Sequence, residues 1–114
     1  MDYDYISIGV PDMNDSVSRI VLDGKVYNIR FTYNDTADIW KWSMYDDVMN
    51  PIVLGVKIVP NFPINLAVLT RDLPQGAFQA YKAISDRADD HIGRSDFVLG
   101  LAEFMYVPLA QPMA

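Results

Sequence analysis

Asp23-Gly24 stands between two β-prone runs, Ser16 to Leu22 and Lys25 to Tyr33. A tight two-residue hairpin needs positive φ at its corner, which Asp-Gly tolerates, so the dipeptide predicts an antiparallel hairpin. The second run alternates cleanly. Tyr27, Ile29, Phe31 and Tyr33 fall on one face, with Asn28, Arg30 and Thr32 on the other. A period of two with one apolar side is the pattern of a strand that covers a core.

The rest of the chain follows the same grammar. Tyr3 to Ile8 is a β-prone start limited by Pro11, and Asp12-Met13-Asn14-Asp15 reads as a turn. Asn34-Asp35-Thr36-Ala37 is a second turn, and Asp38 to Tyr45 alternates with Trp40, Trp42 and Met44 on one side. Ile52 to Val59 is rich in β-branched residues and predicts a central strand, with Gly55 marking a bulge or a close backbone approach. Leu66 to Leu69 fits a short strand or one helical turn, and Pro74-Gln75-Gly76 fits a turn. Phe78 to Ile84 fits a helix by its Ala, Gln and Lys or a strand by its position and length, and the strand is favoured because the segment is short and flanked by turn chemistry. Ser95 is a candidate N-cap for a helical turn over Asp96 to Leu101. Glu103 to Val107 is the last expected strand, and Pro108 to Ala114 is a tail.

Turns at this regular spacing predict an all-β, mainly β, fold: a small antiparallel barrel or sandwich of about six to seven short strands, with at most one or two short helical turns. The length of 114 residues suits a single β domain over 1–114. Its end segments, 1–14 and 108–114, carry apolar groups that suit docking on partners, among them Leu109, Pro112 and Met113. Half of the residues are hydrophobic (51%), enough material for a packed core rather than a disordered chain.

Fifteen acidic and nine basic residues leave a charge of −6 with no basic cluster, which disfavours nucleic acid and anionic membranes. The acidic start lacks the pattern of a secretory leader, and no apolar run approaches the roughly 20 residues that span a bilayer. Neither membrane insertion nor nucleic-acid binding is expected.

Little in the chain supports catalysis. With no cysteine and one histidine, nucleophilic schemes would rest on His91, which lies in a polar loop and reads as a solvated residue. Zinc would need three or four ligands drawn almost wholly from carboxylates. Asp35, Asp38, Asp46-Asp47 and Asp89-Asp90 sit in predicted turns, where Asp caps backbone amides. Asp86 to Asp96 holds several acids without the spacing of a calcium loop. The expectation is no enzyme, no metal and no cofactor. Trp40 and Trp42 have two readings: a core stripe against Tyr27, Ile29 and Phe31, or a stacking platform of a soluble carbohydrate- or peptide-binding module. The core reading is favoured because that strand face has to be covered.

The order of these elements carries a resemblance. Leu22-Asp23-Gly24-Lys25-Val26-Tyr27 and Ile29-Arg30-Phe31-Thr32-Tyr33-Asn34 lead into Trp40-Lys41-Trp42-Ser43-Met44-Tyr45-Asp46, and then Pro51-Ile52-Val53-Leu54-Gly55-Val56-Lys57-Ile58-Val59-Pro60. This resembles the small baseplate plug family of contractile-tailed bacteriophages, of the cyanophage type, over roughly residues 15 to 75, and again at Tyr106-Val107-Pro108. Asn61 stands where that family tends to have Gly, and Ile64-Asn65-Leu66 replaces its usual Leu pair. The resemblance implies a structural virion protein of the tail baseplate, made in the host cytoplasm. Its implied partners are hub, tube or spike components, with a homo-oligomer as a further possibility. It brings no catalytic, cofactor-binding or metal residue with it.

Overall fold

A computed structural model of the chain describes residues 5–22, 24–65, 76–82 and 91–108. Eight strands are described: β1 Ile6–Ile8, β2 Asp15–Leu22, β3 Lys25–Asn34, β4 Ile39–Asp46, β5 Pro51–Lys57, β6 Ile64–Asn65, β7 Gly76–Lys82 and β8 Ala102–Pro108. They form two four-stranded antiparallel sheets, ordered β2-β3-β4-β5 and β1-β8-β7-β6. The strand count exceeds the expected six to seven by β6, whose two described residues leave no periodic signal.

The hairpin forms as expected. Leu22 pairs with Lys25 across the corner, and Gly24 has a φ of 77°. In β3, Tyr27, Ile29 and Phe31 are buried. Register then sets Phe31 opposite Trp42 and Ile29 opposite Met44 on β4, so apolar groups from neighbouring strands share one face. Trp40 and Trp42 are 1% and 2% exposed. The second sheet answers with Phe78, Ala80, Phe104 and Tyr106, all buried.

Aromatic rings lock the two sheets together. Phe31 meets Phe104 edge-on at 5.1 Å, and Trp42 touches Phe78 at 5.0 Å and Phe104 at 5.6 Å. Within the second sheet Phe78 lies 5.0 Å from Tyr106. Edge and tilted geometries at these separations suit the ring quadrupoles. The expected core stripe is therefore real, and the stacking-platform alternative fails at Trp40 and Trp42, which leave no ring face for a ligand.

The region from Ile52 to Val59 corrects an expectation. Its composition predicts a central strand, but β5 is the edge of its sheet. Its apolar residues serve different surfaces: Ile52, Val53 and Val56 are half-buried, Leu54 is exposed, and Ile58 is buried beyond the strand end. A continuous apolar run thus imitates a strand covered on both faces. The Gly55 bulge does occur. Two residues, Leu54 and Gly55, stand opposite Ser43, Gly55 has a φ of 64°, and its N–H donates to Ser43 Oγ at 2.8 Å.

After β5 the chain crosses between sheets. Ile58 N–H donates to the Trp40 carbonyl, and Pro60 then bridges Ala80 of β7. Asn61 N–H donates to the Ala80 carbonyl, while its side-chain amide bonds both the N–H and the C=O of Lys82. This seam closes one side of the sandwich. Asn61 has a φ of 60°, a conformation open to Gly and tolerated by Asn, so the departure from Gly at this position keeps the backbone unchanged.

Phe78 to Lys82 is strand, as expected, within β7. Of the expected turn Pro74-Gln75-Gly76, only Gly76 lies among the described residues, and it belongs to β7. Residues 94–100 make turns, including one α-turn from Leu99 N–H to the Ser95 carbonyl, without extending to a helix. Leu66 to Leu69, Pro74-Gln75, Ser85 to Asp90 and the tail from Leu109 lie outside the described residues.

Ser16 is a local misfit. It lies on the inner face of β2, opposite Phe31, and its buried Oγ has no hydrogen-bond partner among the described residues. An unsatisfied buried hydroxyl costs about 1–3 kcal/mol, so Ser16→Ala is expected to stabilise the fold by about 1 kcal/mol. A urea midpoint that moves down instead would show that the hydroxyl has a partner.

Candidate functional site

A dense polar cluster lies where the β3–β4 turn meets the segment before β8. Asn34 Oδ1 accepts the Ala37 N–H, which tightens that turn and brings Asp38 (φ 55°) beside Tyr33. The Tyr33 hydroxyl donates to Asp38 Oδ1. This bond to a carboxylate, reinforced by desolvation and by the charges of Asp38 and Asp35, pushes the phenol pKa up to about 12.

His91 joins the turn from the other end of the chain. Its Nε2 lies 2.7 Å from the Asp38 carbonyl and 3.0 Å from Asp38 Oδ2. His91 is exposed, as a loop residue should be, but it is anchored rather than simply solvated. Next to it, Trp40 Nε1 donates to the Gly93 carbonyl at 3.1 Å. Arg94 lies over Trp40 and Tyr33, with its guanidinium carbon 5.6 Å and 5.9 Å from the ring centroids. The same guanidinium bonds Asp12 at 2.9 Å and Asn14 at 2.5 Å.

Asp96 completes the clasp. Its Oδ2 accepts the Gly93 N–H at 2.7 Å and pairs with Lys82 Nζ at 3.0 Å, and Lys82 also donates to the His91 carbonyl. Burial pushes the Asp96 carboxyl up, but the Gly93 amide and the Lys82 ammonium outweigh it, so its pKa is lowered. A carboxylate lowered on folding adds stability above its unfolded value, near 4, and gives it up as pH falls through the lowered value. Asp96→Asn is therefore expected to cost about 1–3 kcal/mol at pH 7. It should also flatten the loss of stability as pH falls below about 4. Urea midpoints at three pH values check this; equal losses for both proteins at every pH would contradict it.

The cluster is a fastening. It holds the segment from His91 to Asp96 onto the sheet of Trp40, and each of its carboxylates is already engaged. Asp46, another of the expected acids, is engaged in the same way. Asp46 Oδ1 accepts the N–H of Val48 and of Asn50, and Oδ2 accepts the Asn50 side chain. Led by the Asn50 amide, these bonds hold its pKa down against burial. Asp15 is lowered chiefly by its hydrogen bond to Arg30, whose own pKa is raised by the same bond. Asp89-Asp90 lie outside the described residues.

Among the described residues no three His, Cys, Asp or Glu side chains gather as a metal site. An open cleft of about 530 Å³ between the β2–β3 and β4–β5 turns is lined by Lys25, Tyr27, Asp46 and Asp47, among others. Its one buried side chain is Tyr27. It lacks the convergent, desolvated polar groups of a built ligand site.

Sequence reasoning missed Lys82, Arg94 and Tyr33 as partners in the clasp. The contacts of Lys82 and Arg94 span 9 to 82 positions along the chain, and the Tyr33–Asp38 bond, five positions apart, depends on the shape of the turn between them.

No curated protein matches the chain. A family model described as "Cyanophage baseplate Pam3 plug gp18" matches residues 3–109, nearly the whole sequence and well beyond the stretch that first suggested the resemblance. That span takes in both sheets, the crossing at Asn61 and the closing Tyr106-Val107-Pro108, so the chain belongs to the cyanophage baseplate plug family.

Proposed function

We propose that the protein is a structural component of a contractile phage tail baseplate, a plug held among hub, tube or spike proteins, with no substrate of its own. The observation that carries this reading is the family match over residues 3–109. The surface is consistent with it. Val48 and Met49 project from the β4–β5 turn and Leu54 from the β5 bulge, all exposed. Phe62, Tyr81 and Leu101 are also exposed, around the seam at Asn61 and the start of β8. Isolated exposed apolar groups are ordinary, but one group at the β4–β5 turn and another around the seam suit burial by neighbours. The polar clusters, by contrast, are spent on turns and fastening. The end segments 1–14 and 108–114 are assigned to the same neighbours, although Ile6–Ile8 within the first already pairs with β8.

The test is reconstitution. Mixed with the hub, tube and spike proteins of the same phage, the purified chain should co-migrate with at least one of them. Labelled antibody should mark the tail tip of intact virions. Absence of both association and tip labelling would reject the reading.

A further inference from the structure

The four sheet edges are not treated alike. β1 is three residues long, β6 is two among the described residues, and β5 is broken by two register irregularities. Short and bulged edges resist pairing with other chains. β2 has neither protection: it runs eight residues in unbroken register with β3, without proline or lysine, and no described strand lies on its other side.

The outward-facing groups of this edge can be read from the ladder. Tyr33 N–H donates to the Asn14 carbonyl, and the register continues with Asp15 opposite Thr32. Bonded residues alternate along an antiparallel strand. Ser16, Ser18 and Ile20 therefore bond toward β3, while Asp15, Val17, Arg19 and Val21 turn their N–H and C=O outward. The side chains of these four are exposed, Val17 by 52% and Val21 by 61%. An open groove of about 510 Å³, between residues 7–11 and 18–20, separates the strand from β1 and its link.

We propose that β2 pairs antiparallel with β2 of a second copy, across a two-fold axis at Val17. With that axis, Asp15 of each copy faces Arg19 of the other, Val17 faces its twin, and exposed Met13 faces Val21. Directly opposed side chains touch, so opposite charges and apolar pairs favour this register. An axis at Ser18 sets Arg19 against valine and Asp15 against valine; an axis at Arg19 sets like charges together. Arg19 makes no hydrogen bond or ion pair among the described residues, whereas Asp15 is already bonded to Arg30 at 2.6 Å. Pairing would extend this into an Arg30–Asp15–Arg19 stripe across three strands. The pairing rests on the strand alone and does not depend on the baseplate role.

The chain contains no cysteine, which makes single-cysteine cross-linking clean. Sedimentation of the purified protein should show a concentration-dependent dimer, and Arg19→Glu should weaken it at least tenfold without changing the circular dichroism spectrum. Under mild oxidation Val17→Cys should give a disulfide-linked dimer, while Val21→Cys, opposite Met13 rather than itself, should stay largely uncross-linked. A wild-type protein that is monomeric across the micromolar range overturns the proposal. Cross-linking of Val21→Cys as fast as Val17→Cys overturns it as well.

Discussion

Trp42→Ala is expected to remove most of the stability of this fold. Trp42 is 2% exposed and stands at the junction of the sheets, beside Phe31 in its own sheet and against Phe78 and Phe104 of the other. Deleting a buried large aromatic costs about 3–5 kcal/mol through lost transfer energy and the cavity left behind. The two ring contacts add about 0.5–1.5 kcal/mol each beyond area burial. A domain of this size has only about 5–15 kcal/mol in total. The variant should therefore be partly unfolded at 37 °C, with its urea midpoint reduced by half or more. Trp42→Phe should keep most of the stability, because a smaller ring still fills much of the space between Phe78 and Phe104. A loss below about 1 kcal/mol for the alanine variant would mean that the sheets do not meet at Trp42.

The placement of Trp42 was legible because three signals agree on it. Alternation along Asp38 to Tyr45 puts both tryptophans on one face, the Asp-Gly corner fixes the neighbouring hairpin, and the stripe on β3 requires a cover. The role of β5 was not legible, since β-branched residues at an edge and in a centre look alike until the strand order is known. The clasp was illegible for a different reason. His91 and Asp38 look like loop residues one at a time, and only the fold brings positions 53 apart within hydrogen-bond reach. Asn61 lies between these cases. Its departure from Gly was visible in the sequence, but its meaning needed the φ of 60° that both residues can adopt.

Gly76 carries the second large effect, and it follows from a requirement that turn chemistry alone does not reveal. Gly76 opens β7 opposite Pro108 and is buried against β8. A Cβ at this position would lie 2.5 Å from the Val107 carbonyl oxygen and 2.7 Å from the ring carbon and hydroxyl of Tyr106. Tyr106 is fully buried and packed on Phe78, so it cannot swing away, and the Val107 carbonyl belongs to the backbone of β8. Relief would have to part the two strands at this end. Overpacking costs about 1–3 kcal/mol, and a clash with backbone belongs at the upper end. Gly→Ala in open space acts in the opposite direction, adding about 0.4–1 kcal/mol by restricting the unfolded chain. Gly9 supplies that control, with nothing within 4 Å of its Cβ position. Gly76→Ala is thus expected to lower the urea midpoint clearly while Gly9→Ala leaves it level or raises it. Adding Tyr106→Leu to Gly76→Ala should relieve the ring contact but not the carbonyl contact, so the double variant should lose less than the sum of the two single changes. A Gly76→Ala protein as stable as the original would show that β7 and β8 are not packed this closely at their ends.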